Sequence, residues 1–313
     1  MLLAVSFNQV RQLSASGTVN GATYGLLGTA FALILGVTGR FHYAFGILFT
    51  LTAYGAFTLT DRVGLTFWPS AIISVGVITA LSVAIEAGVY RPLAARAGAS
   101  ALLSVFVASL GLGIFGQNLI GIIWGLRTNS LAGPDVHRFN ALGARVVNID
   151  VWLVVAGVII SGGLAVALRW TPLGRSVKAT RSNPELAEII GINSGAIYLI
   201  VFAIGTSIAG LVALYTSLKF SVDPNMGFRP VVLAFVIAFL GGTASSPLRV
   251  FITGILVGLV ESLSSIWLSV RWTQITVFVV LLGYLITKSA NTSTWLRARV
   301  RKPAAAPMPL VAK

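Results

Sequence analysis

Residues 195–217 read GAIYLIVFAIGTSIAGLVALYTS. The stretch carries no charge and no proline, and about 20 such residues suffice for a helix to cross the hydrocarbon of a bilayer. It is too long for a strand, and a soluble amphipathic helix would show one polar face. The stretch therefore reads as a membrane span. Similar runs lie near 21–39, 42–60, 67–89, 100–124, 151–169, 231–246, 248–270 and 273–288. The 231–246 run is short for a crossing, and only Arg40 and Phe41 separate 21–39 from 42–60. One of these is a candidate for a broken or re-entrant helix. The expected fold class is all-α, a polytopic transmembrane helical bundle of eight or nine spans.

Composition agrees. Of 313 residues, 56% are hydrophobic and only 10% charged, with a mean hydropathy of +0.91. So few charges cannot cover a water-soluble fold, which excludes a cytosolic globular enzyme. The net charge is +14. In a soluble chain that would point to nucleic acid, but no nucleic-acid motif accompanies it, and basic cytoplasmic loops give a membrane bundle the same excess. The absence of Cys excludes thiolate chemistry, and with only His42 and His137 a multi-His metal site is excluded. The N-terminal MLLAVSFNQVRQLSASG has no basic start and only a short apolar run, so no cleaved signal peptide is expected.

Three hydrophilic stretches interrupt the runs: 125–150, the basic 169–193, and the tail after Lys288 with Arg297, Arg299, Arg301 and Lys302. Placing the second and third in the cytoplasm puts most Lys and Arg on that side. The expected organisation is a transmembrane domain over 1–290, with a cytoplasmic loop at about 170–194, followed by a basic, disordered cytoplasmic tail over 291–313. Within the loop, Asn183 suits an N-cap, Pro184 the first helical position and Gly191 a left-handed stop. Leu186, Ile189 and Ile190 share one face, with Glu185 and Glu188 elsewhere. Such a short amphipathic helix lies on lipid headgroups or docks into a partner's groove, and spacing alone leaves both open.

Polar residues inside the runs are the functional candidates, because intramembrane polarity is costly. Glu86 stands five residues before Arg91 near a span end, where an ion pair between them is favoured over a proton relay. Glu261 is mid-span, where a structural role inside the bundle is favoured over pore lining. Gln117 and Asn118 must face the bundle or a wet cavity, through helix–helix hydrogen bonds first and solute contact second. His42 stands at a junction between spans, an interfacial position and also one where transporters bind solutes. Gly241, Gly242 and Thr243 break a helical pattern, as a simple turn or as an unwound segment lining a cavity. Gly111-Leu-Gly113-Ile-Phe-Gly116 matches G-x-G-x-x-G, but inside an apolar run it reads as helix packing. No P-loop motif, G-x-S-x-G or H-E-x-x-H occurs.

Several segments together resemble the permease subunits of branched-chain amino acid ABC importers, over nearly the whole chain. They are Asn20-Gly21 with Tyr24-Gly25, Glu86 before Tyr90-Arg91-Pro92-Leu93, the span ending Gln117-Asn118, and Pro172-Leu173-Gly174-Arg175 with Gly191-Ile192-Asn193. Further on come Met226-Gly227-Phe228 with Ala234-Phe235, Leu240-Gly241-Gly242, and Gly254, Gly258 and Glu261. The resemblance implies a bacterial inner-membrane subunit that forms half of a solute pathway. Its implied partners are a second, homologous permease, two cytoplasmic ATP-binding subunits and an extracytoplasmic solute-binding protein. ATP and Mg would sit on the ATPase subunits, with no cofactor on this chain and no enzymatic activity of its own. The resemblance assigns Pro184, Glu185, Leu186, Ala187, Glu188, Ile189 and Gly191 to ATPase coupling. Candidate pathway residues are His42, Tyr43, Phe45, Gln117, Asn118, Gly241, Gly242 and Thr243, and Glu86, Arg91 and Glu261 are structural polar groups. The family's usual N-F-A-H-G stands here as His42-Tyr43-Ala44-Phe45-Gly46, which leaves the solute open among branched-chain amino acids, other amino acids, amides, urea and aromatic acids. The alternative is an ion-coupled secondary transporter of a small polar solute, with Glu261 as its coupling carboxylate and no ATPase.

Overall fold

Backbone groups that find no water must bond within their own segment, so the apolar runs form helices. The computed structural model describes residues 7–134, 137–141, 143–243, 246–269, 272, 275, 277–284 and 286. The expected tail 291–313 lies outside the described residues, and of the expected 273–288 span, residues 277–284 are helical. In chain order the elements are α1 (Phe7–Thr38), α2 (Phe45–Asp61) and α3 (Phe67–Ile85), which continues through a π turn (Glu86–Tyr90) into α4 (Arg91–Ala97). Then follow α5 (Ala101–Trp124), the hairpin β1 (Arg138–Ala141) and β2 (Ala144–Val147), α6 (Asn148–Trp170), α7 (Pro172–Ser182) and α8 (Pro184–Ile189). The last are α9 (Ser194–Lys219), α10 (Phe228–Gly241) and α11 (Pro247–Ser264).

Among the described residues, six helices are long and apolar enough to cross a membrane: α1, the α3–α4 run, α5, α6, α9 and α11. The chain is a multi-pass membrane protein. The two suspected irregular runs are both short helices. At 1.5 Å per residue, α2 with 17 residues and α10 with 14 reach about 25 and 21 Å, less than the roughly 30 Å hydrocarbon core. Helix α2 starts after the break at 39–44, and α10 is bounded by the Pro224 turn and by Gly242, whose φ is +84°. Helix α1 begins at Phe7 rather than near 21. Its first turns are polar and leave no hydropathy signal, and they stand against the hairpin: the Gln12 amide donates to the Arg145 carbonyl at 3.1 Å and accepts the Arg145 N–H at 2.8 Å.

Helices α1 and α9 form the centre, with 72% and 61% of their most apolar windows buried against 17% for α5 and for α6. Helices α3, α5 and α6 turn Ile72, Phe115, Ile122, Trp152 and Ile159 outward, a surface suited to lipid. Helix α1 crosses α11 through glycines. A Cβ on Gly258 would stand 2.4 Å from the Gly21 Cα, and one on Gly254 2.2 Å from the Gly25 Cα. The spacing of four between Gly21 and Gly25, and between Gly254 and Gly258, lets the two backbones approach. One end of the bundle carries the hairpin and the other carries α7 and α8. At the hairpin end Asp150 Oδ1 accepts from the Tyr215 hydroxyl at 2.6 Å and from Lys219 Nζ at 2.7 Å, tying the start of α6 to the end of α9.

Candidate functional site

The two short helices meet inside the bundle. A Cβ on Gly227, just before α10, would lie 2.0 Å from the Gly46 carbonyl oxygen at the start of α2. Both helices thus begin at one level, with Phe45, Gly46, Ile47 and Phe228 donating their N–H groups to the turns before them. A small cleft beside them is lined by Tyr43, Gly46, Thr50, Gln117, Asn225 and Phe228. The Gln117 amide donates to the Asn225 side-chain oxygen across it. Gly113 and Gly116 let α5 approach, with Cβ positions 3.1 Å from Tyr43 and 2.5 Å from Ile47, whereas Gly111 faces open space. The G-x-G-x-x-G match is therefore helix packing at its second and third glycines.

Other candidate pathway residues lie elsewhere. His42 is fully buried, its Nδ1 3.0 Å from the Tyr90 hydroxyl and its ring packed against Phe45 and Phe202. Phe45 is also in the core. Asn118 corrects the expectation that it faces the interior: it points outward, and its amide donates to the Ile114 carbonyl one turn back at 2.8 Å. A helix can satisfy an amide this way, so polarity alone did not dictate its face. Gly241 is buried against Val250, and Gly242 makes the left-handed turn. Thr243 lines a separate cavity of about 940 Å³ near α7, together with Arg169, Lys178 and Arg181. Of the eight, only Tyr43 and Gln117 share the cleft.

The expected Glu86–Arg91 pair is also corrected. Glu86 is fully buried and pairs with Arg40 from the break after α1. The Arg91 N–H closes the π turn on the Glu86 carbonyl, while the Arg91 side chain packs over Gly195. Removing one member of a buried pair strands the other charge. Glu86→Ala is expected to destabilise the protein by about 3–5 kcal/mol, seen as a lower thermal unfolding midpoint in detergent. Adding Arg40→Met is expected to restore part of it.

At the opposite end, the loop between α6 and α9 holds two helices. Helix α8 has the predicted punctuation: Asn183 Oδ1 accepts the Leu186 N–H at 3.0 Å, Pro184 stands in the first turn, and Gly191 has φ +86°. Ala187 is buried, while Leu186, Ile189 and Ile190 are 59%, 79% and 71% exposed. Helix α7 went unread in the sequence, although Thr171 caps it, Pro172 starts it, and Gly174, Val177 and Thr180 form its buried stripe. Asn225 and Arg229 were also missed. The only signal for them was the Asp223-Pro224-Asn225 turn, which does not reveal what it faces.

A bundle of membrane spans with two abutting short helices, and a capped amphipathic helix held out between two full spans, is an arrangement suited to a transport permease. The family described as branched-chain amino acid transport system, permease component, matches residues 13–285, and the chain belongs to it. It is a permease subunit of the ABC-importer type. It is similar to the high-affinity branched-chain amino acid transport system permease protein LivH of Salmonella typhimurium, 26% identical over 87% of this chain and 91% of that protein. LivH of Escherichia coli K12 is 25% identical over the same shares. BraD of Pseudomonas aeruginosa is 27% identical over 82% of this chain and 86% of that protein.

Proposed function

We propose that this chain forms half of the translocation pathway of an ATP-driven importer for branched-chain or chemically related amino acids in a bacterial inner membrane. A second, homologous permease supplies the other half. Two cytoplasmic ATP-binding subunits hold ATP and Mg and do the hydrolysis, and an extracytoplasmic binding protein delivers the solute. The names of the relatives support the solute class. The observation that carries the ATP-driven reading is α8, whose apolar face is left uncovered on a helix that is capped at both ends and anchored by Ala187. Such a face suits a groove on a soluble partner. ATP-driven closure of the partners would move α8, and α7 and α9 would carry that movement into the spans.

In this reading the solute passes the cleft where α2 and α10 begin. Tyr43, Gln117 and Asn225 supply hydrogen bonds in place of water. Gln117→Leu leaves the Asn225 amide without its partner and puts an apolar group in the wall. It is expected to lower uptake by about tenfold in membrane vesicles while the subunits still co-purify.

Purification of this chain from its native membrane in mild detergent, with mass spectrometry of what accompanies it, tests the reading. A stoichiometric P-loop ATPase and a second permease are expected, and uptake should survive collapse of the proton and sodium gradients. Recovery of the chain alone, with gradient-dependent uptake, would replace the importer by a secondary transporter.

A further inference from the structure

A second, larger cavity at the hairpin end adjoins the cleft across Asn225, which lines both. It measures about 590 Å³ and is enclosed by α1, the end of α9, the 220–226 turn, α10 and α11. Its wall holds Arg229 and Glu261 with their nearest nitrogen and oxygen 3.8 Å apart, too far for a hydrogen bond. The Glu261 side chain is nine-tenths buried, and its Oε2 has no hydrogen-bond partner among the described residues. Tyr24 faces the same carboxylate from α1. Arg229 is 60% exposed, so its guanidinium has room to move. Asp223, also on the wall, already accepts the Asn225 N–H at 2.9 Å.

A buried carboxylate oxygen with no donor is costly, more so in a membrane span. The arrangement therefore has one unfilled donor position beside Glu261 and one loosely held cation a few ångströms away. A lone cation would fill only the first, and a lone anion would suit only the second. A molecule with an ammonium and a carboxylate on neighbouring atoms fills both and brings no net charge into a low-dielectric wall. Leu13, Met226 and Leu233 supply apolar wall for an aliphatic side chain.

We propose that this cavity is a transient binding site for an α-amino acid zwitterion, with Glu261 taking the ammonium, Arg229 the carboxylate, and Met226 and Leu233 flanking the side chain. The inference rests on the amino acid importer reading. It changes the role of Glu261 from a structural polar group to a solute contact. While bound, the solute would give the buried Glu261 carboxylate a close donor that Arg229, at 3.8 Å, does not provide.

The test uses the intact importer in inverted and right-side-out membrane vesicles. ATP-driven uptake of tritiated L-leucine is measured, and a diazirine analogue of leucine is photo-crosslinked during turnover and its attachment mapped by mass spectrometry. Label is expected on 13–24 or 261–265, which line this cavity and not the cleft. It should fall by about tenfold or more in Arg229→Gln and in Glu261→Gln, the loss expected for a charge-assisted bond, together with leucine uptake. Should Glu261→Gln fail to assemble, Arg229→Gln decides, because its exposed side chain supports no core packing. Label confined to the α2–α5 cleft, or unchanged labelling and uptake in Arg229→Gln, overturns the site and leaves the importer reading standing. Wild-type vesicles that accumulate neither tritiated L-leucine nor any other tritiated α-amino acid tried in its place with ATP overturn the importer reading and this site with it.

Discussion

Leu186→Asp combined with Glu188→Lys is expected to abolish ATP-driven uptake and to strip the ATPase subunits from the purified complex, while the permease itself stays folded. The separation of the two effects follows from the geometry of α8. Its fold is held by Asn183 at one end, by Gly191 at the other and by Ala187 beneath. None of these is changed. Leu186 and Glu188 are exposed in the isolated chain, so altering them removes no buried packing. In the proposed complex, the same leucine enters a desolvated groove. A charge placed there costs on the order of 2–4 kcal/mol at an interface centre, or roughly 30- to 1,000-fold in affinity. Co-purification and vesicle uptake read the loss, and a monodisperse size-exclusion profile reads the intact fold. Full retention of both partners and uptake would place α8 on the lipid headgroups instead.

Gly258→Leu is expected to have the largest effect on the fold itself. The Cβ it introduces would stand 2.4 Å from the Cα and from the N of Gly21, which are backbone atoms with no rotamer to yield. The same contact recurs one turn away, where Gly254 meets Gly25. Relief therefore requires α1 and α11 to separate along their whole crossing. Overpacking costs about 1–3 kcal/mol where side chains can shift, and here they cannot, so loss of the folded monomer in detergent is expected. Gly111→Leu is the control. It also alters a glycine-rich span, but its Cβ meets nothing within 4 Å, and leucine is the better helix former. Its thermal midpoint should hold or rise. A folded, heat-stable Gly258→Leu protein would show that the α1–α11 crossing does not depend on glycine.

How much was legible in advance differs from one residue to the next. Asn183, Pro184 and Gly191 announced α8 because capping is chemistry among neighbours a few residues apart. Gly21, Gly25, Gly254 and Gly258 announced a close crossing because only small residues permit one in lipid. Their pairing with one another was not announced. Thr171 and Pro172 carry a signal for α7 of the same kind as that for α8, set among the basic residues Arg169, Arg175, Lys178 and Arg181. The polar residues were hardest to place. Gln117 and Asn118 are adjacent and similar, yet one bridges to Asn225 while the other folds back onto its own helix. Nothing local separates them, since a rotation of about 100° per residue decides which faces the interior.

The membrane, the helical class, the near-absence of sheet and the punctuation of the α6–α9 loop follow from composition and from short-range rules, and they need no knowledge of how the spans pack. The partner of Glu86, the abutment of α2 and α10, and the cavity that sets Arg229 beside Glu261 depend on which helix faces meet. Those contacts join segments far apart in the chain: Arg40 from the break after α1 reaches Glu86 at the end of α3, and α10 presents Arg229 to Glu261 on α11. In a bundle that is apolar all round, hydrophobicity does not select one face over another. Backbone approach at the glycines and the satisfaction of a few buried polar groups do, and both act only once the helices are packed together.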